Sequence, residues 1–390
     1  MESNSTTCAS QALEDRQPSV GGWPKRRWLA LAVFWSLLCA VFVYSACAQA
    51  KHLNLSAAAG GQMPYLDYAK HIAEEGIPAW YGDHNRLPLV PTLLASLYSD
   101  DWPTFVARSI WFSITLSTFV MLSVSVLAFF ILPSRLAAAF SVIFAFTVLL
   151  SRASFVQAEL LYYGLSFVSW LMLCRLLRKP TIWLAGAAGL TLGLAYLTKA
   201  SAWPLMLAYL LALLVNHLWL LFSRHQVEKS KLARAVAKSW VCSGIMVVSF
   251  FLVVSPYVWH TYQQFGRVFY NVNSTFFMWC DSWPEAKAFA EAYPIGDSFP
   301  NAAGDMTPSF GQYWQTHATA QMLGRLRYGL DTLFQLAIKG VYFKYLALGL
   351  GFCCVMIGRL RCGMIPTLRI YSSALIFSTM SFIGYLLAYA

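Results

Sequence analysis

Residues 64–76 read PYLDYAKHIAEEG, and residues 81–98 read YGDHNRLPLVPTLLASLY. Both stretches lie between the first two long apolar runs of the chain, 28–46 and 105–132. A connection between neighbouring helices needs only a few residues, whereas this one occupies 47–104. Within it Leu66, Ala69, Ile72 and Ala73 recur at helical spacing. Asp67, Lys70, His71, Glu74 and Glu75 take the other sides, and Gly76 and Pro78 end the segment. The pattern predicts an amphipathic helix in the membrane interface. Pro88 and Pro91 set the entry to a second short helix, expected at 92–98. A long, structured, charged loop of this kind points to a site at the lipid–water boundary rather than a pore.

The surrounding chain sets the fold class. Hydrophobic residues make up 58% and charged residues 12%, with mean hydropathy +0.54. A soluble protein of this composition would have too little polar surface to face water. Nine runs approach the length needed to cross about 30 Å of hydrocarbon. They are 28–46, 105–132, 136–150, 158–177, 182–197, 202–222, 240–259, 341–357 and 370–390. The third is short, and the eighth contains Lys344. The expectation is an all-α, polytopic membrane protein with about nine transmembrane helices, spanning 25–390 behind a disordered polar tail at 1–24.

Basic residues orient these spans. Lys25, Arg26 and Arg27, then Arg135, then Arg175, Arg178 and Lys179, fall on alternate connections. So do Arg224, Lys229, Lys231, Arg234 and Lys238, and finally Arg359, Arg361 and Arg369. The opposite connections hold thirteen of the seventeen carboxylates, which puts the N-terminus in the cytoplasm and loops 47–104 and 260–340 outside. The net charge of +11 is therefore mainly a topology signal, and a nucleic-acid partner is not expected. SACAQA near the end of the first span resembles a signal cleavage site, but the apolar stretch is long and follows a long leader, so it reads as an anchor. Nine scattered cysteines show neither a metal spacing nor a disulfide framework, and no phosphate-binding glycine loop occurs; no metal and no cofactor are expected. Sequons at Asn54 and Asn273 fall on the expected outer face.

Several residues could carry chemistry. Asp67 is either a charge favoured by a helix N-terminus or a working base. Arg86, just before a proline-led helix, is placed to bind a phosphate or to snorkel among headgroups. His84 either contacts a leaving group or is an ordinary loop residue. Glu159 and Tyr163 lie in FVQAELLYYG (155–164), where an acid near hydrocarbon needs pairing. Lys199 occupies the short outer turn of AYLTKASAWP and needs a carboxylate or a lipid phosphate. From Tyr257 onward the chain mixes aromatics with carboxamides, including Trp259, Asn271 and Trp279. That mixture is either an aromatic belt or a surface for sugar rings. A third amphipathic segment is expected at 313–326.

Four stretches, LDYAKHIAEEG, NRLPLVPTLLASLY, LAYLTKASAWPL and SPYVWHTYQQFG, together resemble the polytopic GT-C glycosyltransferases. The likeness is to the branch of protein O-mannosyltransferases, lipid A aminoarabinose transferases and RgtA/B/C/D-like domains. The resemblance implies a polyprenyl- or dolichyl-phosphate sugar donor and an acceptor hydroxyl on a glycan, lipid or protein. It implies Asp67 as catalytic base and Lys199 and Arg86 as contacts of the donor phosphate; one base without an obligatory second carboxylate fits a single-displacement, inverting transfer. His84, Glu159, Tyr163, Trp259, Asn271 and Trp279 become candidate substrate contacts. The chain departs from the pattern at Tyr68, where many relatives carry a second acid. The competing expectations are a transporter or flippase of a lipid-linked glycan, and a non-catalytic subunit of the same fold.

Overall fold

A computed structural model describes residues 25–52, 61–76, 86–131, 134–222, 229–265, 268–271, 276–292, 308–339 and 372–389. The tail, Asp83, His84, both sequon asparagines and the whole 341–357 run lie outside the described residues. The described residues are almost all helical, and none forms a strand. Hydrocarbon offers no partner to a backbone N–H or C=O, so a spanning segment must pair its own.

The helices, in chain order, are α1 (Lys25–His52), α2 (Met63–Glu75), α3 (Leu89–Ala95), α4 (Trp102–Ile131), α5 (Ser134–Ala153), α6 (Glu159–Arg178) and α7 (Ile182–Thr198). They continue with α8 (Trp203–Phe222), α9 (Lys229–Phe265), α10 (Trp283–Ala292), α11 (Phe310–Thr316), α12 (Thr319–Lys339) and α13 (Ser372–Tyr389). Among the described residues six helices are long and apolar enough to cross a membrane: α1, α4, α5, α6, α8 and α9. The chain is thus a multi-pass integral membrane protein by length and composition of its helices. The fifth run, α7, is apolar but only 17 residues long.

Several boundaries differ from the sequence reading. α9 extends well beyond 240–259 at both ends and carries Pro256 inside it. A membrane helix tolerates an interior proline because neighbouring groups satisfy the freed carbonyl. α5 includes a π-helical turn, Phe144–Leu149, and incorporates Arg135 and Arg152 at its ends. α3 begins at Leu89 and ends at Ala95, because both prolines fit a first helical turn.

The short α7 is the centre of the bundle, packed against α6 on one side and α9 on the other. Ala185, Ala188, Gly189, Leu192, Gly193 and Tyr196 are buried along it. A β-carbon on Gly189 would run into the Met246 carbonyl, and one on Gly193 would lie 2.8 Å from Val253 Cβ. Between membrane helices, where lipid is as apolar as leucine, such small residues permit the close backbone approach that makes packing favourable. α8 packs against α13. One end of this bundle gathers α2, α3, the 154–158 turn and the 199–202 turn, which is where the charged side chains meet.

Candidate functional site

Helix α2 is fastened at its start. Gln62, 1% exposed, accepts a hydrogen bond from the Val156 backbone N–H at 2.7 Å through Oε1. Leu66 and Ala69 then pack with Val90 and Leu94 of α3, Phe105 of α4, and Val156 and Ala158. The connection between α1 and α4 is therefore built into the spans through the turn that leads to Glu159.

Tyr65 lies on the inward side of α2, one and two turns before Ala69 and Ile72. Burial raises its phenol pKa. The Arg86 charge opposes that, the Glu159 charge adds to it, and Lys199 and the Ala158 backbone amide oppose it, leaving the pKa raised overall. One phenol thus feels three charged side chains from three separate segments. The Arg86 guanidinium carbon lies 5.2 Å from the Tyr65 ring centre, over its face. Lys199 Nζ donates to Glu159 Oε1 at 3.2 Å. The other Glu159 oxygen, Oε2, is buried and has no hydrogen-bond partner among the described residues. Glu159 occupies the first turn of α6, where the helix dipole favours a carboxylate. Lys199 ends α7 in extended backbone, which turns its side chain back toward α6. Tyr162 reinforces this junction by donating from its hydroxyl to the Ser201 carbonyl at 2.9 Å.

The structure therefore brings together Arg86, Glu159 and Lys199 around Tyr65. Asp67 stands elsewhere. It is exposed, on the side of α2 that also carries His71 and Glu74, and makes no hydrogen bond or ion pair among the described residues. As the fifth residue of α2 it lies past the first turn, so the helix dipole does not explain it. Tyr68, the residue that follows Asp67, is 4% exposed. A carboxylate there would be desolvated. Tyr163 is half-buried, with its ring centre 6.2 Å from that of Tyr162.

The segment that follows α9 forms a separate cluster. Trp259 is 63% exposed near the end of α9. Asn271 is buried beside Tyr270, whose carbonyl accepts from the Tyr257 hydroxyl at 2.5 Å. Trp279 packs against Phe310 and Tyr313, at 5.2 and 6.3 Å between ring centres. The amphipathic segment expected at 313–326 is two helices, broken at His317 and Ala318. Ser309 caps α11 by accepting from the Gln312 backbone N–H. At the break, His317 Nε2 meets Asp281 Oδ2 at 3.0 Å, and its ring stacks on Tyr313 at 4.0 Å. The hydrogen bond to Asp281 raises the His317 pKa against the opposing effect of desolvation. Burial pushes Asp281 up, but the His317 hydrogen bond and charge outweigh it and hold the carboxyl low. Among the described residues no three His, Cys, Asp or Glu side chains are grouped to hold a metal ion.

Sequence reasoning missed Tyr65, Gln62 and His317. Tyr65 carried a usable signal, its i, i+4, i+7 alignment with Ala69 and Ile72. Gln62 and His317 act across long chain separations and carried none. No protein-family model matches the chain, and neither a curated protein nor a solved structure matches it.

Proposed function

We infer that this chain is a membrane glycosyltransferase that moves a sugar from a polyprenyl- or dolichyl-phosphate donor to an acceptor hydroxyl at the extracytoplasmic or lumenal face. The observation that supports the reading is that Arg86 lies over the Tyr65 ring while Lys199, paired with Glu159, also acts on the Tyr65 phenol, at the end of the bundle that gathers α2 and α3. Two cations held there suit a phosphate whose lipid tail remains in the bilayer.

In the proposed reaction a base takes the acceptor hydroxyl proton, and the oxygen attacks the anomeric carbon. The bond from that carbon to the phosphate oxygen breaks, and its electron pair leaves on the lipid phosphate. Lys199 and Arg86 stabilise the growing negative charge. A single displacement with one base inverts the anomeric centre. Asp67 is the proposed base on the strength of the resemblance, although it faces away from Arg86 and Lys199; Glu159, beside Lys199 and with Oε2 unpartnered among the described residues, is the nearer carboxylate. Glu159 holds Lys199 in place until the phosphate takes over part of that cation's coordination.

The test offers radiolabelled polyprenyl-phosphate sugars to membranes containing wild type, Asp67→Asn, Glu159→Gln or Lys199→Ala. The reading requires transfer by wild type and its loss in Asp67→Asn. Lys199→Ala is expected to raise the donor KM about tenfold or more. Undiminished transfer by Asp67→Asn with loss in Glu159→Gln would move the base to Glu159. No transfer by wild type from any donor would overturn the enzyme reading.

A further inference from the structure

Helix α12 does not bury its apolar side. Leu323, Leu330 and Phe334 are 61%, 36% and 59% exposed. With Arg327, also exposed, they fall at i, i+4, i+7 and i+11 and so form one stripe along the helix. Its neighbour Arg325 points the other way. Nη2 of Arg325 donates to the Met278 carbonyl at 2.6 Å, and its guanidinium lies over the Tyr313 ring at 4.9 Å. Arg325, with half-buried Met322 and Leu326, thus lies on the less exposed side, while Leu323, Arg327, Leu330 and Phe334 are exposed. Immediately before it, α11 exposes Phe310 and Trp314, 58% and 63%, with rings 5.9 Å apart.

Water is a poor occupant for a stripe of this composition flanked by two exposed aromatics. A transmembrane course is equally poor. α12 has 21 residues, yet Arg325, Arg327, Asp331 and Lys339 lie along it, and it is not among the helices apolar enough to cross. An apolar stripe with an arginine inside it suits the boundary between acyl chains and headgroups. There the arginine stem lies along hydrocarbon while the guanidinium reaches a phosphodiester. The helix carries three basic residues against one acidic, the sign expected for a surface near phospholipid. It is also continuous with the lipid-facing bundle, because α12 packs on α13, which exposes Phe382 and Ile383.

We propose that α12 lies in the plane of the membrane, its Leu323–Arg327–Leu330–Phe334 stripe seated at the headgroup–acyl boundary of a phospholipid leaflet with Arg327 on a lipid phosphate. This holds whether or not the chain transfers sugar, and it differs from a lid standing in water above the bundle.

The full chain in phospholipid nanodiscs tests it. An environment-sensitive fluorescent amino acid is placed singly at Leu330 or Phe334 on the stripe, or at Tyr328, 72% exposed and about 130° round the helix from it. Quenching is read with lipids bearing a nitroxide high or low on the acyl chain. The expected result is about threefold or greater quenching by the shallow nitroxide at 330 and 334 than at 328, as for a helix half-immersed in the interface. Absence of lipid quenching at both stripe positions overturns the proposal, and a signal that changes on dilution would then assign the stripe to a second copy of the chain. Equal quenching at all three positions by the deep nitroxide overturns it too, in favour of a crossing helix.

Discussion

The two long connections are built on different plans. The first ties itself to the spans: Gln62 is bonded to Val156, and Tyr65 is set among Arg86, Glu159 and Lys199. The second is tied to α9 at its start, where the Tyr257 hydroxyl donates to the Tyr270 carbonyl, and its 276–325 part is joined internally through Asp281 to His317 and Arg325 to Met278. The cations of the first cluster inherit the rigidity of the helices below them, and a site that must stabilise charge benefits from such fixed groups. The second cluster is held by exposed polar contacts that loosen without disturbing the bundle.

The largest expected effect sharpens this contrast. Under the proposed reaction, Asp67→Asn in the first segment should lower sugar transfer about 10²–10⁴-fold, while His317→Ala in the second should change it only a few-fold. Equal losses in a membrane transfer assay would break the division. Next in size is packing beneath the first cluster. Gly193→Val forces a side chain against Val253 and the Phe250 carbonyl and should destabilise the bundle by about 1–3 kcal/mol. A lower melting temperature in detergent, with donor binding weakened alongside it, is the expected readout. Comparable is Gln62→Leu, which strands the buried Val156 N–H at a cost of about 1–3 kcal/mol. Hydrogen exchange should rise at Val156 and along α2 and stay unchanged in α11 and α12.

The smallest effect is a pH dependence confined to the second segment. The folded pKa of His317 is raised, so its contribution is complete below the ordinary imidazole value of 6.5 and is lost as pH rises through the raised value. The folded pKa of Asp281 is lowered, so its contribution is present above the ordinary carboxyl value and disappears as pH falls through the lowered one. Between those limits the 276–282 turn should resist proteolysis best. Asp281→Asn should flatten the profile, and an unchanged profile would show that the pair does not hold the turn.

The spans were legible because hydrocarbon accepts so few kinds of residue. The charged cluster was partly legible. Glu159 and Lys199 stood out as ions close to apolar runs, and their pairing was among the partnerships considered. The side of α2 that meets them was not. Taking Leu66, Ala69, Ile72 and Ala73 as the apolar stripe left Tyr65 out, although the packed face is centred near Tyr65, Ala69 and Ile72 and leaves Ala73 exposed. That small rotation decides that Asp67 faces away from the three ions. The break at His317 was illegible for another reason: its partner, Asp281, is 36 residues distant, and no local pattern announces such a bond.

α7 has a consequence for depth. At about 1.5 Å per residue its 17 residues reach about 26 Å, short of a hydrocarbon layer of about 30 Å. Its glycines clasp it to α9, so it does not slide to make up the difference. If α7 crosses the bilayer, the missing few ångström fall at its Thr181 end, at the Lys199 turn, or in a locally thinned leaflet. Where they fall at the Lys199 turn, the short helix works as a gauge, setting how far below the headgroups the lysine lies and so which part of a lipid it can touch.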